Sequence, residues 1–200
     1  MNALSVDLSL HHIEAVVIGA SAGAIASLSQ LLPPLGPDYP LAILVTVHVP
    51  PDQPNTIPAL LQTKCRLTVK EAEDKEPILP GTVYFAPPDY HLLVETDRRL
   101  SLSNEEPVNF SRPSIDVLFE SAADVYGRTL LALILTGANH DGAQGACAVS
   151  EAGGTVLVQT PDSATARMMP ASTLAACRNA RALSLEDLTE VLASRGRRES

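Results

Sequence analysis

Apolar positions in this chain gather into short unbroken runs. EAVVIG (14–19), LAILVTVHV (41–49), TLLALILT (129–136) and TVLVQ (155–159) are rich in β-branched residues and leucine. That is the pattern of strands covered on both faces, expected to be parallel and central in a sheet. Between the runs, apolar residues recur at helical spacing. Ala24, Leu28, Leu31 and Leu32 follow the first run, while Ile115, Leu118, Phe119, Ala122 and Tyr126 precede the third, with Pro113 near that helix's start and Gly127 just past its end. Alternating strand and helix predicts an α/β fold, a single doubly wound, mostly parallel sheet with helices on both faces.

The middle of the chain breaks this rhythm. GTVYFAPP (81–88) is a strand stopped by two prolines, and HLLVE (91–95), TDR and RLSLS (99–103) predict an antiparallel β-hairpin around a polar turn. The segment is expected to be an insertion, with the hairpin on an edge. LEDLTEVLASR (185–195) is an amphipathic helix. The organisation expected is an N-terminal arm (1–13), one domain (14–195) and a basic tail (196–200).

Composition narrows the classes of function. The chain has 200 residues and 46% apolar content, yet no run nears the roughly 20 apolar residues that span a membrane, so no membrane insertion is expected. With 23 acidic against 14 basic residues, the net charge of −9 would repel phosphates, and nucleic acid is not an expected partner. Cys65, Cys147 and Cys177 are odd in number and far apart, so they form neither a disulfide framework nor a CxxC metal pair. The first residues lack the basic and apolar regions of a secretion signal. A cytoplasmic location follows as the expectation.

Candidate chemistry sits at the ends of the strands. The first runs into Gly19-Ala20-Ser21-Ala22-Gly23 and then a helix, an arrangement that two mechanisms share. A glycine-rich turn and helix N-terminus hold a dinucleotide's pyrophosphate; a G-x-S-x-G turn presents an exposed serine hydroxyl beside a helix end that stabilises an oxyanion. The second strand ends in His48, where a dinucleotide binder would place an acid for the ribose hydroxyls. The carboxyl ends of a doubly wound sheet share one edge, so Ser21 and His48 are expected close together. At the end of the third strand lies Gly137-Ala138-Asn139-His140-Asp141-Gly142. Asp141 is either the N-cap of the next helix or a carboxylate that orients His48 and stabilises its imidazolium.

Six segments then carry a resemblance: VVIGASAGA (16–24), VHVPP (47–51), GTVYFAPPDYHLLV (81–94), RPSIDVLFESAA (112–123), LILTGANHDGAQG (133–145) and GGTVLVQTPDSATARMMPAST (153–173). In this order they resemble the catalytic domain of the chemotaxis protein-glutamate methylesterases, the CheB family. The resemblance implies Ser21 as nucleophile, His48 as general base and then acid, and Asp141 as the orienting carboxylate. The implied reaction hydrolyses glutamate γ-methyl esters on the signalling helices of chemoreceptors, and some relatives also deamidate glutamine there. It implies no cofactor and no metal.

Ala22, Gly137, Ala138, Asn139 and Met169 are the candidates for oxyanion or substrate contacts. The family's loop before the aspartate is often GMGxDG; here Ala138 and Asn139 replace a methionine and a glycine. Many members carry an N-terminal receiver domain, but about 13 residues precede the first strand here. The expectation is either an unregulated single-domain version or one controlled by a separate protein, such as a response regulator or kinase. The alternatives are a dinucleotide- or phosphate-binding module and a non-catalytic member that docks on receptors.

Other residues weigh less. His140 is expected in solvent, His11 and His12 in the arm, and His91 at the surface or rim; Cys65 is expected to be structural. Arg112 and Ser114 either line the cleft or start a helix, and Met168-Met169-Pro170 is either substrate wall or filler.

Overall fold

The computed structural model describes residues 11–50 and 54–195; the tail and most of the predicted arm lie outside them. In chain order the elements are β1 (Ala15–Ala20), α1 (Ala24–Leu31), β2 (Ala42–Val47), α2 (Ile57–Gln62), β3 (Thr68–Glu71), β4 (Thr82–Phe85), β5 (His91–Val94), β6 (Leu100–Ser103), α3 (Ile115–Tyr126), β7 (Leu130–Ile134), α4 (Ala143–Glu151), β8 (Thr155–Gln159), α5 (Met168–Ala176), β9 (Arg181–Leu183) and α6 (Leu185–Ser194). Seven strands form one sheet in the order β3-β4-β2-β1-β7-β8-β9, and every pairing in it is parallel.

The four apolar runs account for the four strands β2, β1, β7 and β8, in which nearly every residue is buried. Alternate residues serve opposite faces. Val16, Ile18, Ile43 and Val45 pack with Leu28, Leu31, Leu188 and Leu192 of α1 and α6. Val17, Leu44, Ala132 and Ile134 pack with Ile115, Leu118, Phe119 and Val149 of α3 and α4. The strand order reverses beside β1, and the loops after β1, β2 and β7 meet at the carboxyl edge, where such sheets form their crevices.

The middle of the chain differs from expectation. β4 is no part of an insertion; it lies inside the main sheet between β3 and β2. The hairpin β5–β6 is antiparallel, with His91 opposite Ser103, but it forms a separate two-stranded sheet rather than an edge of the large one. It packs against α3, where the Ser121 hydroxyl takes the Val94 N–H at 3.1 Å. One consequence corrects the expectation for His91, which is 2% exposed instead of lying at the rim. The hairpin's inward face is covered by α3, and both ring nitrogens are engaged: Nδ1 accepts from Ser114 N–H at 3.1 Å and Nε2 donates to the Glu106 carbonyl at 3.2 Å.

Candidate active site

Ser21 sits on a tight turn between β1 and α1. Its own N–H bonds the Thr136 carbonyl at 2.9 Å, and its carbonyl takes the Ala24 N–H at 2.9 Å. Thr136 fastens the turn from the other side, its hydroxyl donating to the Ala22 carbonyl at 2.7 Å and accepting from Ala166 N–H at 2.8 Å. Gly23 closes the turn at φ 89°, and a Cβ there would stand 2.7 Å from the Thr165 side chain. Only glycine meets both conditions without strain. Among the described residues the N–H groups of Ala22 and Gly23 make no hydrogen bond, so two donors at the start of α1 are unpaired next to Ser21 in the chain.

His48 follows β2 and is tied to the same edge by its N–H on the Ala20 carbonyl at 3.4 Å. Its Nε2 lies 2.8 Å from Asp141 Oδ2, with the imidazole 14% exposed and the carboxylate fully buried. Asp141 does not cap the helix that follows it; the N-cap of α4 is Gly142, at φ 94°. It caps α3 instead. Oδ2 accepts from Ile115 N–H at 2.6 Å, and Oδ1 from the Ser114 hydroxyl at 2.8 Å, Asn109 Nδ2 at 3.0 Å and Asp116 N–H at 3.3 Å. The partial positive charge of a helix N-terminus thus supports a carboxylate from a distant loop.

Burial pushes the Asp141 carboxyl upward, and the hydrogen bonds from His48, Asn109, Ile115 and Ser114 outweigh it, holding the group down to about 2. An acceptor that is ionised at neutral pH fixes the tautomer of the neutral His48 ring: Nε2 carries the hydrogen and Nδ1 the lone pair. The Asn139 amide approaches that lone pair, Nδ2 to Nδ1, at 3.3 Å, while its Oδ1 takes the Asp141 N–H at 3.3 Å. Beneath Asp141 lies a second carboxylate, Asp116, whose affinity for its proton is raised by burial and by Asp141, against hydrogen bonds from Gly145, Asn109 and Gly142 that lower it. Asn109 Nδ2 bridges the two acids, 2.7 Å from Asp116 Oδ2.

Ser21 and His48 line one groove of about 600 Å³, together with Gly23, Ala24, Ile25 and Ile57. His48 also lines a second cavity of about 360 Å³. Among the described residues no hydrogen bond joins the Ser21 hydroxyl to His48; the two share the groove as neighbours. The Gly137 N–H is donated to the Ala166 carbonyl at 3.0 Å, so Gly137 has no free donor for an oxyanion. Met169 is fully buried and lies directly under Gly137, whose Cβ position is 2.5 Å from the Met169 methyl. It supports the loop from below rather than walling the groove. Ala138 is exposed and Asn139 partly buried on that loop.

Residues 16–192 match the family model for CheB methylesterase. The chain belongs to that family. A putative protein-glutamate methylesterase/protein-glutamine glutaminase of Leptospira interrogans is 46% identical over 178 residues, covering 89% of this chain and 92% of that protein. A protein-glutamate methylesterase/protein-glutamine glutaminase 2 of Caulobacter vibrioides is 36% identical and covers 92% of this chain, which spans only 54% of that longer protein. The crystal structure of the Thermotoga maritima CheB methylesterase catalytic domain superposes with a TM-score of 0.85 at 34% identity, covering 91% of this chain and 98% of that one.

In this CheB-family site Asn109 and Asp116 escape a reading of the sequence, as does the buried role of His91; they act through α3 and the hairpin, and no strand-end rule points to them. A faint signal exists for Asp116, an acid in the first turn of a helix. The weaker candidates resolve simply. His11, His12 and His140 are exposed. Cys65 is half-buried, its thiol pushed up by burial against the lowering effect of Lys64, which makes it a poor nucleophile. Arg112 lines the second cavity, and Ser114 starts α3. Met168 is exposed. Among the described residues no cluster of three or more His, Cys, Asp or Glu could hold a metal ion, and no helix is long and apolar enough to cross a membrane.

Proposed function

We propose that this chain is a serine esterase that hydrolyses glutamate γ-methyl esters on the cytoplasmic helices of chemoreceptors. Ser21 is the nucleophile, His48 the proton carrier and Asp141 the carboxylate that orients it. The observation that carries this assignment is the 2.8 Å bond between His48 and a buried Asp141, set in the groove that Ser21 also lines. His48 Nδ1 is the nitrogen that accepts the serine proton as Oγ attacks the ester carbonyl, the serine hydroxyl taking the place of the Asn139 amide that approaches Nδ1 at 3.3 Å. The oxyanion that forms is met by the unpaired N–H groups of Ala22 and Gly23 and by the positive end of α1. His48 then passes the proton to the departing methoxide, releasing methanol, and water repeats the sequence on the acyl-enzyme. Loose serine–histidine geometry in an unliganded enzyme is common and tightens when substrate binds.

The same machinery serves glutamine deamidation, the second activity in the relatives' names, because an amide carbonyl is attacked in the same way. The cytoplasm is where such receptor helices are reached, and a separate response regulator or kinase would adjust the activity. The test is Ser21→Ala. It should keep the fold and lose methanol release from methylated receptor by at least about 10³-fold, together with all labelling by a fluorophosphonate. Retained turnover would remove the serine from the mechanism, and saturable NAD(P) binding would favour the dinucleotide alternative.

A further inference from the structure

The loop between β6 and α3 carries an aromatic residue in an unusual setting. Phe110 is 101% exposed, and it stands with Asn109 in the left-handed region, at φ 61° and 51°. Asparagine tolerates that conformation; a bulky aromatic is strained there. Nothing in the loop is loose enough to relieve it. Val108 and Ser111 exchange backbone hydrogen bonds at 3.1 and 2.9 Å. Arg112 clamps the loop's base, Nε and Nη2 on Asp89 Oδ1 at 3.0 and 2.6 Å and Nη1 on the carbonyls of Asn104 and Glu105, each at 2.9 Å. Asn109 is clipped to Asp116 and to Asp141 itself. A polar, anchored base therefore holds a bare apolar ring in solvent.

The location of the ring gives it a use. Phe110 and Pro107 form one side of the roughly 360 Å³ cavity next to His48, and Val49 and Pro50 also line it. His48 lines both this cavity and the groove that holds Ser21, so the neighbours of an ester placed at Ser21 are within reach of this rim. On a helix, the residues three, four or seven positions away share the ester's face. We infer that the Val108–Ser111 turn is the docking finger for the substrate helix, with Phe110 as its anchor against an apolar residue one or two turns from the esterified glutamate. This rests on the esterase assignment and adds to it how a protein substrate, rather than a free ester, is selected. The net charge of −9 argues against an anionic membrane as the occupant.

The decisive variant is Phe110→Asn, which removes the ring and suits the left-handed backbone, so the fold should be kept and thermal stability unchanged or raised. Two rates are measured on each protein: kcat/KM for methanol release from a methylated receptor cytoplasmic fragment, and the rate of Ser21 labelling by a fluorophosphonate. The ratio of the first to the second should fall by at least about fivefold, through KM, and Phe110→Leu should restore most of it. A smaller fall, or equal losses in both rates, overturns the inference. So does an unchanged ratio accompanied by lost binding to anionic vesicles, which would assign the ring to a membrane. Absence of methanol release from the unmutated protein would instead refute the esterase assignment on which the inference stands.

Discussion

Asp141 gathers more of the structure onto itself than any other side chain at the carboxyl edge. Five groups donate to it: the His48 ring, the Asn109 amide, the Ser114 hydroxyl and the N–H groups of Ile115 and Asp116. A carboxylate can accept all of them, whereas an amide must turn an NH₂ toward donors. Asp141→Asn is therefore expected to be a double lesion. The His48 tautomer loses its anchor, lowering kcat by roughly 10³- to 10⁴-fold, and buried donors at the start of α3 lose partners, costing about 2–4 kcal/mol of stability. Steady-state methanol release and urea unfolding measure the two separately. If kcat falls with no loss of stability, Asp141 does not hold the start of α3.

At the scale of elements, the site is a meeting of helix ends. The start of α1 holds unpaired N–H groups next to Ser21, and the start of α3 supplies part of the donor set that, with His48 and Asn109, keeps Asp141 ionised. Gly23 lets the first of these approach the sheet edge. In Gly23→Ala a methyl group would meet the Thr165 side chain from a left-handed backbone, so a loss of about 1–3 kcal/mol is expected. Fluorophosphonate labelling should slow as well, because the turn under Ser21 must shift; a variant of normal stability and labelling would mean the turn has slack.

The approach of Ser21, His48 and Asp141 to one another was legible because the first two directly follow buried strands and the third lies in the loop after another, and the topology of a parallel sheet assembles strand ends on one edge. The four central strands were legible for the same reason. β3 and β9 were not, since an edge strand has one partner and shows no continuous apolar run: TVKE and RAL are largely half-buried or exposed. His91 and Asn109 gain their roles only from the hairpin's docking on α3, a long-range contact that no local pattern encodes.

For the molecule as a whole, the buried carboxylate ties folding to acidity. Asp141 is held at about 2 in the folded protein, against about 3.9 for an unperturbed aspartate. Protons therefore bind the unfolded chain first, and the stability contributed by this group is fully present above the ordinary carboxylate range and disappears as the pH falls from about 4 to about 2. Asp116 works in the opposite sense, since its raised proton affinity favours folding in acid, so the two partly offset in the wild-type curve. Comparison with Asp141→Asn isolates the first. The variant carries no titrating group at 141, so the stability gap between it and the wild type should narrow on acidification, by on the order of 2 kcal/mol between pH 5 and pH 2. Urea midpoints across that range measure the gap. A gap that stays constant would mean that Asp141 is not held ionised by its five donors, and the fixed His48 tautomer would lose its physical basis along with it.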